Sequence, residues 1–224
     1  MGNKINEMKY KVGQINIGST SGDLIYDVVK REDVNNIVEF GTWNGFGSTT
    51  CVIKSIIDSG VEKNFVSIEL YPDMYEEAKE NLTEKNLIKY VKLLNGRVID
   101  VNDVFWFDHN LVTDTMKKGQ DQHGISALHS QLWYYKDLDF LKKAKNILDE
   151  LPESIDFLIL DGGEYSTYPE WIKLKDRVKI VALDDTKSLK CEKIRKEIIE
   201  SNEYEAVYDN QDYRFGFSIF ERKI

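Results

Sequence analysis

The chain has little cysteine and no long apolar run, and each shortage excludes a class of protein. Its two cysteines, Cys51 and Cys191, stand far apart among 224 residues, so we expect reduced, packed thiols rather than a disulfide or a thiolate metal site. No run of about 18 apolar residues is present, so no membrane-spanning helix is expected. The first seven residues hold no apolar segment, so no secretory signal is expected either. These absences predict a soluble, cytoplasmic protein.

Positive charge and proline are also scarce. Thirty lysines and arginines stand against 39 acids, which gives a formal net charge of −9. Nucleic acids and anionic membranes bind surfaces with an excess of positive charge, so neither is expected as a partner. The three prolines fall at predicted loops or helix starts, and no linker rich in proline, glycine and serine divides the chain. We therefore expect a single domain over residues 1–224.

Short β-type runs alternate with amphipathic segments along most of the chain. This alternation predicts an α/β fold, a doubly wound seven-stranded sheet that is mostly parallel and covered on both faces. Only six residues, 209–214, join the last two predicted strands, so these should form an antiparallel C-terminal hairpin at one edge. The predicted strands are 37–40, 64–68, 90–94, 156–160, 178–183, 206–208 and 215–220, and the predicted helices are 23–30, 48–58, 72–84, 137–151 and 189–200.

The segment 97–136 follows neither the helical nor the strand period. It holds all three histidines, His109, His123 and His129, and two of the four tryptophans. Long irregular connections in compact domains are usually lids, binding loops or interface elements. We therefore expect a lid or insertion at 97–136, and a homodimer through this segment or the edge hairpin is left open.

A glycine-rich loop follows the first predicted strand, in the pattern Glu39-x-Gly41-x-x-x-Gly45-x-Gly47. Glycines let the backbone turn tightly and let a ligand approach closely. Glu69 ends the next strand, where an acid is placed to bind the two hydroxyls of a ribose. The nicotinamide fingerprint G-x-G-x-x-G is not met, because three residues separate Gly41 from Gly45. The loop indicates a nucleotide-type cofactor without a pyrophosphate.

The order of glycine loop, ribose acid, Leu160-Asp-Gly-Gly163, Leu183-Asp-Asp185 and terminal hairpin resembles the class I S-adenosylmethionine-dependent methyltransferases. The resemblance covers roughly residue 19 to the end and implies a Rossmann-like fold, S-adenosylmethionine as cofactor and a small-molecule acceptor. It places Glu39 near the cofactor's amino group, Glu69 on the ribose, and Gly96 and Arg97 near the adenine. The residues that it assigns to the cofactor are Glu39, Gly41, Thr42, Gly45, Gly47, Ser48, Glu69, Leu70, Gly96, Arg97 and Asp161.

Three aspartates end two neighbouring predicted strands, Asp161 on one and Asp184 and Asp185 on the next. Converging carboxylates repel one another unless a cation lies between them, and hard oxygen ligands suit Mg²⁺ or another divalent ion. The arrangement resembles the metal-dependent O-methyltransferases of the catechol type and the sugar-hydroxyl methyltransferases of macrolide biosynthesis. This implies divalent-metal-assisted O-methylation of a small hydroxylated acceptor, such as a sugar or sugar-bearing metabolite. Alternatively, Asp184 or Asp185 caps a helix, and Asp161 acts near the substrate without a metal.

The general base is open between several residues. In the catechol type a lysine closely follows the first metal aspartate, whereas Gly162-Gly163-Glu164-Tyr165 stands here. Glu164 is a candidate base or further metal ligand, and His129 or His123 is a candidate base from the segment 97–136. Asp161, Glu164 and His129 are thus the expected catalytic residues. The aromatic residues that either stack on an acceptor or pack are Trp106, Trp133, Tyr134, Tyr135 and Trp171.

Three alternatives to a metal-assisted O-methyltransferase remain open. A metal-independent N- or O-methyltransferase would keep the cofactor without the ion. A nicotinamide-dependent oxidoreductase would bind NAD(P) at the same loop. A non-catalytic protein with this fold would bind S-adenosylmethionine, or nothing, without turnover.

Overall fold

A computed structural model describes residues 12–104 and 127–223 of the chain. Its strands form one seven-stranded sheet in the order β3-β2-β1-β4-β5-β7-β6. The strands are β1 (Asn36–Phe40), β2 (Asn64–Glu69), β3 (Lys92–Asn95), β4 (Ile155–Leu160), β5 (Val178–Asp184), β6 (Tyr204–Asn210) and β7 (Phe217–Arg222). The first five run parallel, while β7 pairs antiparallel with both β5 and β6. The predicted doubly wound fold with a C-terminal antiparallel hairpin is confirmed.

Helices connect the parallel strands on both sides of the sheet. They are α1 (Thr20–Lys30), α2 (Ser48–Ser59), α3 (Pro72–Glu84), α4 (Val101–Val104), α5 (Ala127–Lys143), α6 (Thr167–Leu174) and α7 (Glu192–Ser201). Within the described part of the chain, none of them combines the length and the apolar character needed to span a bilayer.

The sheet has an apolar core on each face. Along β1, Val38 and Phe40 contribute to one core, whereas Ile37 joins the other together with Cys51 of α2. Strands buried on both faces read as continuous apolar runs, which explains the clear strand signal of this region. Because the faces are occupied by packing, polar residues gather where the strands end.

The helix predicted at 137–151 corresponds to α5, whose bounds differ. It runs from Ala127 to Lys143, ten residues earlier at its start, and residues 148–150 form a separate 3₁₀ turn. The amide of Leu148 bonds to the side-chain oxygen of Asn146 (2.9 Å), and Asn146 forms an isolated bridge with Arg97. Local side-chain bonds of this kind compete with the helix. The apolar spacing that predicted one helix thus arises from two elements that face the same core.

Other elements also differ from the sequence prediction. The strand predicted at 90–94 begins at Lys92, since residues 88–90 form a 3₁₀ turn, and the helix predicted from residue 189 begins at Glu192. Helix α6 was not predicted, because Gly162 and Gly163 precede it and Pro169 lies in its first turn. Proline is compatible with the first turn of a helix, so Pro169 does not exclude a helix that begins at Thr167.

The segment 97–136 is irregular only in part. It contains α4, and residues 127–136 belong to α5. His109, His123 and Trp106 lie outside the described residues, as do the side chains of His129 and Trp133. A lid at 97–136 therefore stays a prediction, whereas its last ten residues are helical.

Candidate active site

The carboxyl ends of β1, β2, β4 and β5 open onto a cavity of about 510 Å³. This volume falls within the range of small-molecule sites, roughly 300–1,000 Å³. A second depression, of about 990 Å³, lies at the amino ends of β2 and β3. Ligands of open α/β sheets bind outside the carboxyl ends of the strands, so the first cavity is the candidate. The sequence-predicted site residues that line it are Gly41, Thr42, Gly47, Ser48, Glu69, Leu70, Gly96, Asp161, Asp184 and Asp185.

Gly41 lies where two halves of this cavity meet, one at the ends of β1 and β2 and the other at the ends of β4 and β5. Its φ is +94°, and a Cβ built on it would lie 2.1 Å from the carbonyl oxygen of Asp161. Only glycine allows this combination of a left-handed φ and a backbone contact. Gly47 also lines the cavity, but Gly45 does not, and a Cβ at Gly45 would instead meet Leu82 at 3.1 Å. The glycine loop thus serves both the cavity wall and the packing against α3.

Glu69 is held in a fixed orientation at the end of β2. Its Oε2 accepts the backbone N–H of Trp43 (2.7 Å), and its Oε1 accepts that of Tyr71 (2.9 Å). The side chain is 6% exposed, and burial raises its pKa to about 7 despite these hydrogen bonds. A carboxylate has about four lone-pair positions, so two further donors can bind. Two neighbouring hydroxyls of a ribose match that capacity.

Glu39 lies behind the cavity wall rather than in it. The hydroxyls of Thr49 (2.7 Å) and Ser67 (2.5 Å) donate to its Oε2, and Oε1 has no partner among the described residues. The hydroxyl of Ser67 also bonds that of Thr42 (2.6 Å), which does line the cavity. Burial raises the pKa of Glu39. Its contact with a cofactor amino group therefore stays a prediction.

Two other predicted site residues make contacts away from the cavity. The Arg97 guanidinium binds the carbonyl of Ala144 (3.2 Å) and the carboxylate of Asp100 (2.9 Å), although the adjacent Gly96 lines the cavity. Glu164 does not line the cavity either. Its Oε1 accepts the Lys190 amide (3.3 Å), and its Oε2 is 3.3 Å from the Ser188 hydroxyl. Glu164 thus supports the loop after β5.

Of the three aromatic candidates whose side chains the structure describes, two pack inside the protein and one is exposed. Trp171 is 2% exposed, and its ring lies 6.1 Å from that of Tyr204 in the core. The ring of Tyr134 packs edge-on against that of the buried Tyr165, with 4.9 Å between centroids. Tyr135 is exposed. None of these three lines the cavity within the described part of the chain.

The structure brings the three predicted metal ligands together. In the register of β4 and β5, Leu160 is opposite Leu183, so Asp161 and Asp184 follow side by side. Asp185 adopts a left-handed φ of 54°, a conformation that aspartate tolerates better than most residues. Carboxylate oxygens of the three residues lie within 4.8 Å of one another. Burial and the charge of Asp161 raise the pKa of Asp184.

Two cations of the chain pair with this aspartate cluster, Lys190 with two of the aspartates and Arg214 with the third. The Lys190 ammonium lies 2.8 Å from Asp161 Oδ1 and 2.7 Å from Asp185 Oδ2, and the Arg214 guanidinium lies 3.2 Å from Asp184 Oδ2. A divalent ion would need these oxygens at about 2.1–2.6 Å, in the space of the ammonium nitrogen. The three aspartates, as placed around Lys190, therefore do not fit a divalent ion.

Two buried acids that the sequence prediction missed also line the cavity. Asp137 on α5 is 5% exposed, accepts the Tyr71 hydroxyl, and has its pKa raised to about 7 by burial. Glu170 on α6 is 6% exposed, and burial raises its pKa to about 8. Its Oε2 has no partner among the described residues. A charged residue between Tyr168 and Trp171 was the only signal for Glu170.

No protein-family model and no curated protein matches the sequence, but solved structures match the fold. An O-methyltransferase from Bacillus cereus in complex with S-adenosylhomocysteine has a TM-score of 0.58 and 15% identity, covering 95% of this chain and 84% of that one. The S-adenosylhomocysteine-bound methyltransferase PaMTH1 from Podospora anserina has a TM-score of 0.58 and 12% identity, covering 91% and 78%. TomG from Streptomyces achromogenes, an O-methyltransferase of tomaymycin synthesis solved with S-adenosylmethionine, has a TM-score of 0.53 and 12% identity, covering 91% and 79%. The chain therefore has the fold of these methyltransferases.

Proposed function

We propose that the protein is an S-adenosylmethionine-dependent methyltransferase that acts on a small-molecule acceptor. The observation that carries the proposal is Glu69, a buried acid fixed by two backbone N–H groups at the cavity wall. It lies at the end of β2, one strand-helix-strand unit after Gly41, where a ribose is expected. The likeness of the fold to methyltransferases solved with S-adenosylmethionine or S-adenosylhomocysteine supports the same reading.

The charge of the cavity favours a cationic sulfonium over a pyrophosphate. Six acids line it, namely Glu69, Asp137, Asp161, Glu170, Asp184 and Asp185, and among the described lining residues Arg214 is the only cation. Carboxyl groups offer no favourable charge to a phosphate, and Arg214 already pairs with Asp184 (3.2 Å), so this wall provides little to bind the pyrophosphate of NAD(P). This supports the methyltransferase over the oxidoreductase alternative.

The proposed chemistry is direct transfer to an acceptor oxygen, with the sulfonium as the methyl donor. A new C–O bond forms as the C–S bond breaks, and S-adenosylhomocysteine leaves as a neutral thioether. The acceptor hydroxyl loses its proton to a cavity carboxylate, and Glu170 is best suited. Its Oε2 is unpartnered among the described residues, and burial raises its pKa to about 8, so the ionised form that accepts the proton becomes the major form only above about pH 8. Glu164 and His129 stay predictions for this role.

The acceptor is proposed at the level of its class. A cavity lined by carboxylates suits a small molecule with several hydroxyls, such as a sugar or sugar-bearing metabolite, because each carboxylate can accept hydrogen bonds. An amine acceptor would suit the same charge and would make the enzyme an N-methyltransferase. Assistance by a divalent ion stays a prediction from the sequence, and it requires Lys190 to leave the aspartate cluster.

Ligand-induced stabilisation tests the cofactor. Thermal unfolding is measured with S-adenosylmethionine, S-adenosylhomocysteine, NAD and NADP in turn, since a ligand that binds only the folded state raises Tm. We expect both adenosyl ligands to raise Tm and neither nicotinamide to do so. A rise with NAD(P) alone would refute the proposal. Release of S-adenosylhomocysteine in the presence of hydroxylated small molecules then separates an enzyme from a non-catalytic binding protein.

A further inference from the structure

The loop after β5 delivers a buried cation to the aspartate cluster. Lys190 is 6% exposed although it carries a long, charged side chain. Its ammonium donates a hydrogen bond to Asp161 Oδ1 (2.8 Å) and forms an ion pair with Asp185 Oδ2 (2.7 Å). Lysine is almost never buried unless it is paired, so these contacts account for its position.

The backbone of this loop is fixed from several sides. The Lys190 amide is within hydrogen-bond distance of the Ser188 hydroxyl (3.2 Å) and of Glu164 Oε1 (3.3 Å). The next residue, Cys191, is fully buried, and its thiol is 3.8 Å from the carbonyl of Leu160. The ammonium is therefore placed by packed structure rather than by a free surface side chain.

The charges of the cluster are compensated without any bound ion. Lys190 and Arg214 together carry the two positive charges that one divalent ion would supply to the three aspartates. An ammonium or guanidinium needs no open coordination position. The sequence predicted a metal because three converging aspartates repel one another. In the structure, the positive charges of Lys190 and Arg214 reduce this repulsion.

We infer that Lys190 takes the place of the divalent ion in this site and that methyl transfer is independent of metal. The inference rests on the proposed methyltransferase function. Lys190 does not line the cavity, so it acts as a positioning residue that holds Asp161 and Asp185 in the cavity wall. Arg214, which lines the cavity, is the cation that an acceptor oxygen can contact.

Binding of Mn²⁺, followed by electron paramagnetic resonance, tests this inference independently of activity. The samples are the wild-type protein, Lys190→Met and the control Lys196→Met, whose lysine is exposed on α7 and pairs only loosely with Glu200 at 3.8 Å. We expect no saturable Mn²⁺ site in the wild type or the control. Lys190→Met should bind Mn²⁺ at a saturable site, because the aspartates lose their internal cation. Its apparent affinity for Mn²⁺ should be at least about tenfold higher than that of the wild type or the control.

A saturable Mn²⁺ site in the wild type that Asp161→Asn abolishes would overturn the inference. So would a folded Lys190→Met protein that binds Mn²⁺ no better than the control. If Lys190→Met does not fold, the wild-type and Asp161→Asn titrations still decide. S-adenosylhomocysteine binding, measured on the same wild-type sample, tests the proposed function separately, because it does not involve the Mn²⁺ signal.

Discussion

The two halves of the cavity hold their acids in different ways. On the β1–β2 side, Glu69 in the cavity wall accepts two backbone N–H groups, and Glu39 behind the wall accepts two hydroxyls. Neither of them forms an ion pair with any described residue. On the β4–β5 side, the acids pair with cations, Asp161 with Lys190 and Asp184 with Arg214.

This difference assigns different tasks to the two halves. An acid held by neutral donors has no internal cation and keeps oxygen positions open for further hydrogen bonds, so the β1–β2 side is suited to a ligand that brings hydroxyls. Acids paired with internal cations are already compensated, so the β4–β5 side is suited to holding a fixed geometry. Burying an acid costs free energy unless hydrogen-bond donors or cations contact its carboxyl group, and each half of the cavity supplies one of these two kinds of partner.

Gly41→Ala should have the largest effect, because Gly41 lies where the two halves of the cavity are in backbone contact. Its Cβ would lie 2.1 Å from the Asp161 carbonyl oxygen, at a φ of +94°. We expect a loss of about 3 kcal/mol or more in the free energy of unfolding, measured in urea, from steric clash and backbone strain. Gly60→Ala is the matched control, with φ of +67° and no atom within 4 Å. Equal losses in the two variants would show that the contact does not matter.

Glu170→Gln should reverse a pH-dependent loss of stability. Burial raises the pKa of Glu170 from 4.5 to about 8, so the folded protein keeps a proton that the unfolded chain has released. Between these values the folded state binds more protons, and stability falls as pH rises. Since one pKa unit corresponds to about 1.4 kcal/mol, the variant should gain about 2 kcal/mol or more near pH 8 and little near pH 4.5. Parallel stability-against-pH curves for the two proteins would contradict this.

Glu69→Ala should weaken binding of S-adenosylhomocysteine without a comparable loss of folding. Removal of hydrogen bonds to a charged group costs at least about 1.5 kcal/mol, or roughly tenfold in Kd. Calorimetric titration measures the change, and Glu80→Ala on the exposed face of α3 is the control. An unchanged Kd in Glu69→Ala would remove the ribose role of this acid.

Asp161→Asn should have the smallest effect on cofactor binding, because Asp161 pairs with Lys190 on the β4–β5 side, whereas the proposed ribose acid Glu69 lies on the β1–β2 side. We expect the Kd for S-adenosylhomocysteine to change by less than about threefold, or 0.6 kcal/mol. Turnover, once an acceptor is found, should fall much further. A loss of cofactor affinity as large as that of Glu69→Ala would show that the two halves are not separate.

The sequence predicted the β1–β2 half better than the other half, for a physical reason. The Gly41 loop and Glu69 belong to one strand-loop-helix-strand unit, where spacing along the chain fixes position in space. Asp161 and Asp184 were also predictable, because neighbouring parallel strands end at the same edge. Lys190 and Arg214 meet these acids only through the loop after β5 and the hairpin turn. Their partners therefore depend on tertiary packing, which a single sequence does not display.

The positions of Asp137 and Glu170 in the cavity wall also depend on tertiary packing, so the sequence did not predict them. Each lies on a helix whose extent the apolar pattern misjudged or missed, α5 and α6. An acid on a helix is normally solvated, and nothing in the local spacing marks these two as buried. Their position becomes visible only when the helices pack beside Gly162 and Gly163 at the cavity.

The most direct test of this account is calorimetric titration of the wild-type protein with S-adenosylhomocysteine, performed once with Mg²⁺ and once with EDTA. We expect saturable binding at one site per chain, with the same Kd in both conditions. Absence of binding in both conditions would contradict the proposed cofactor site. Binding that requires Mg²⁺ would contradict the compensation of the aspartates by Lys190 and Arg214.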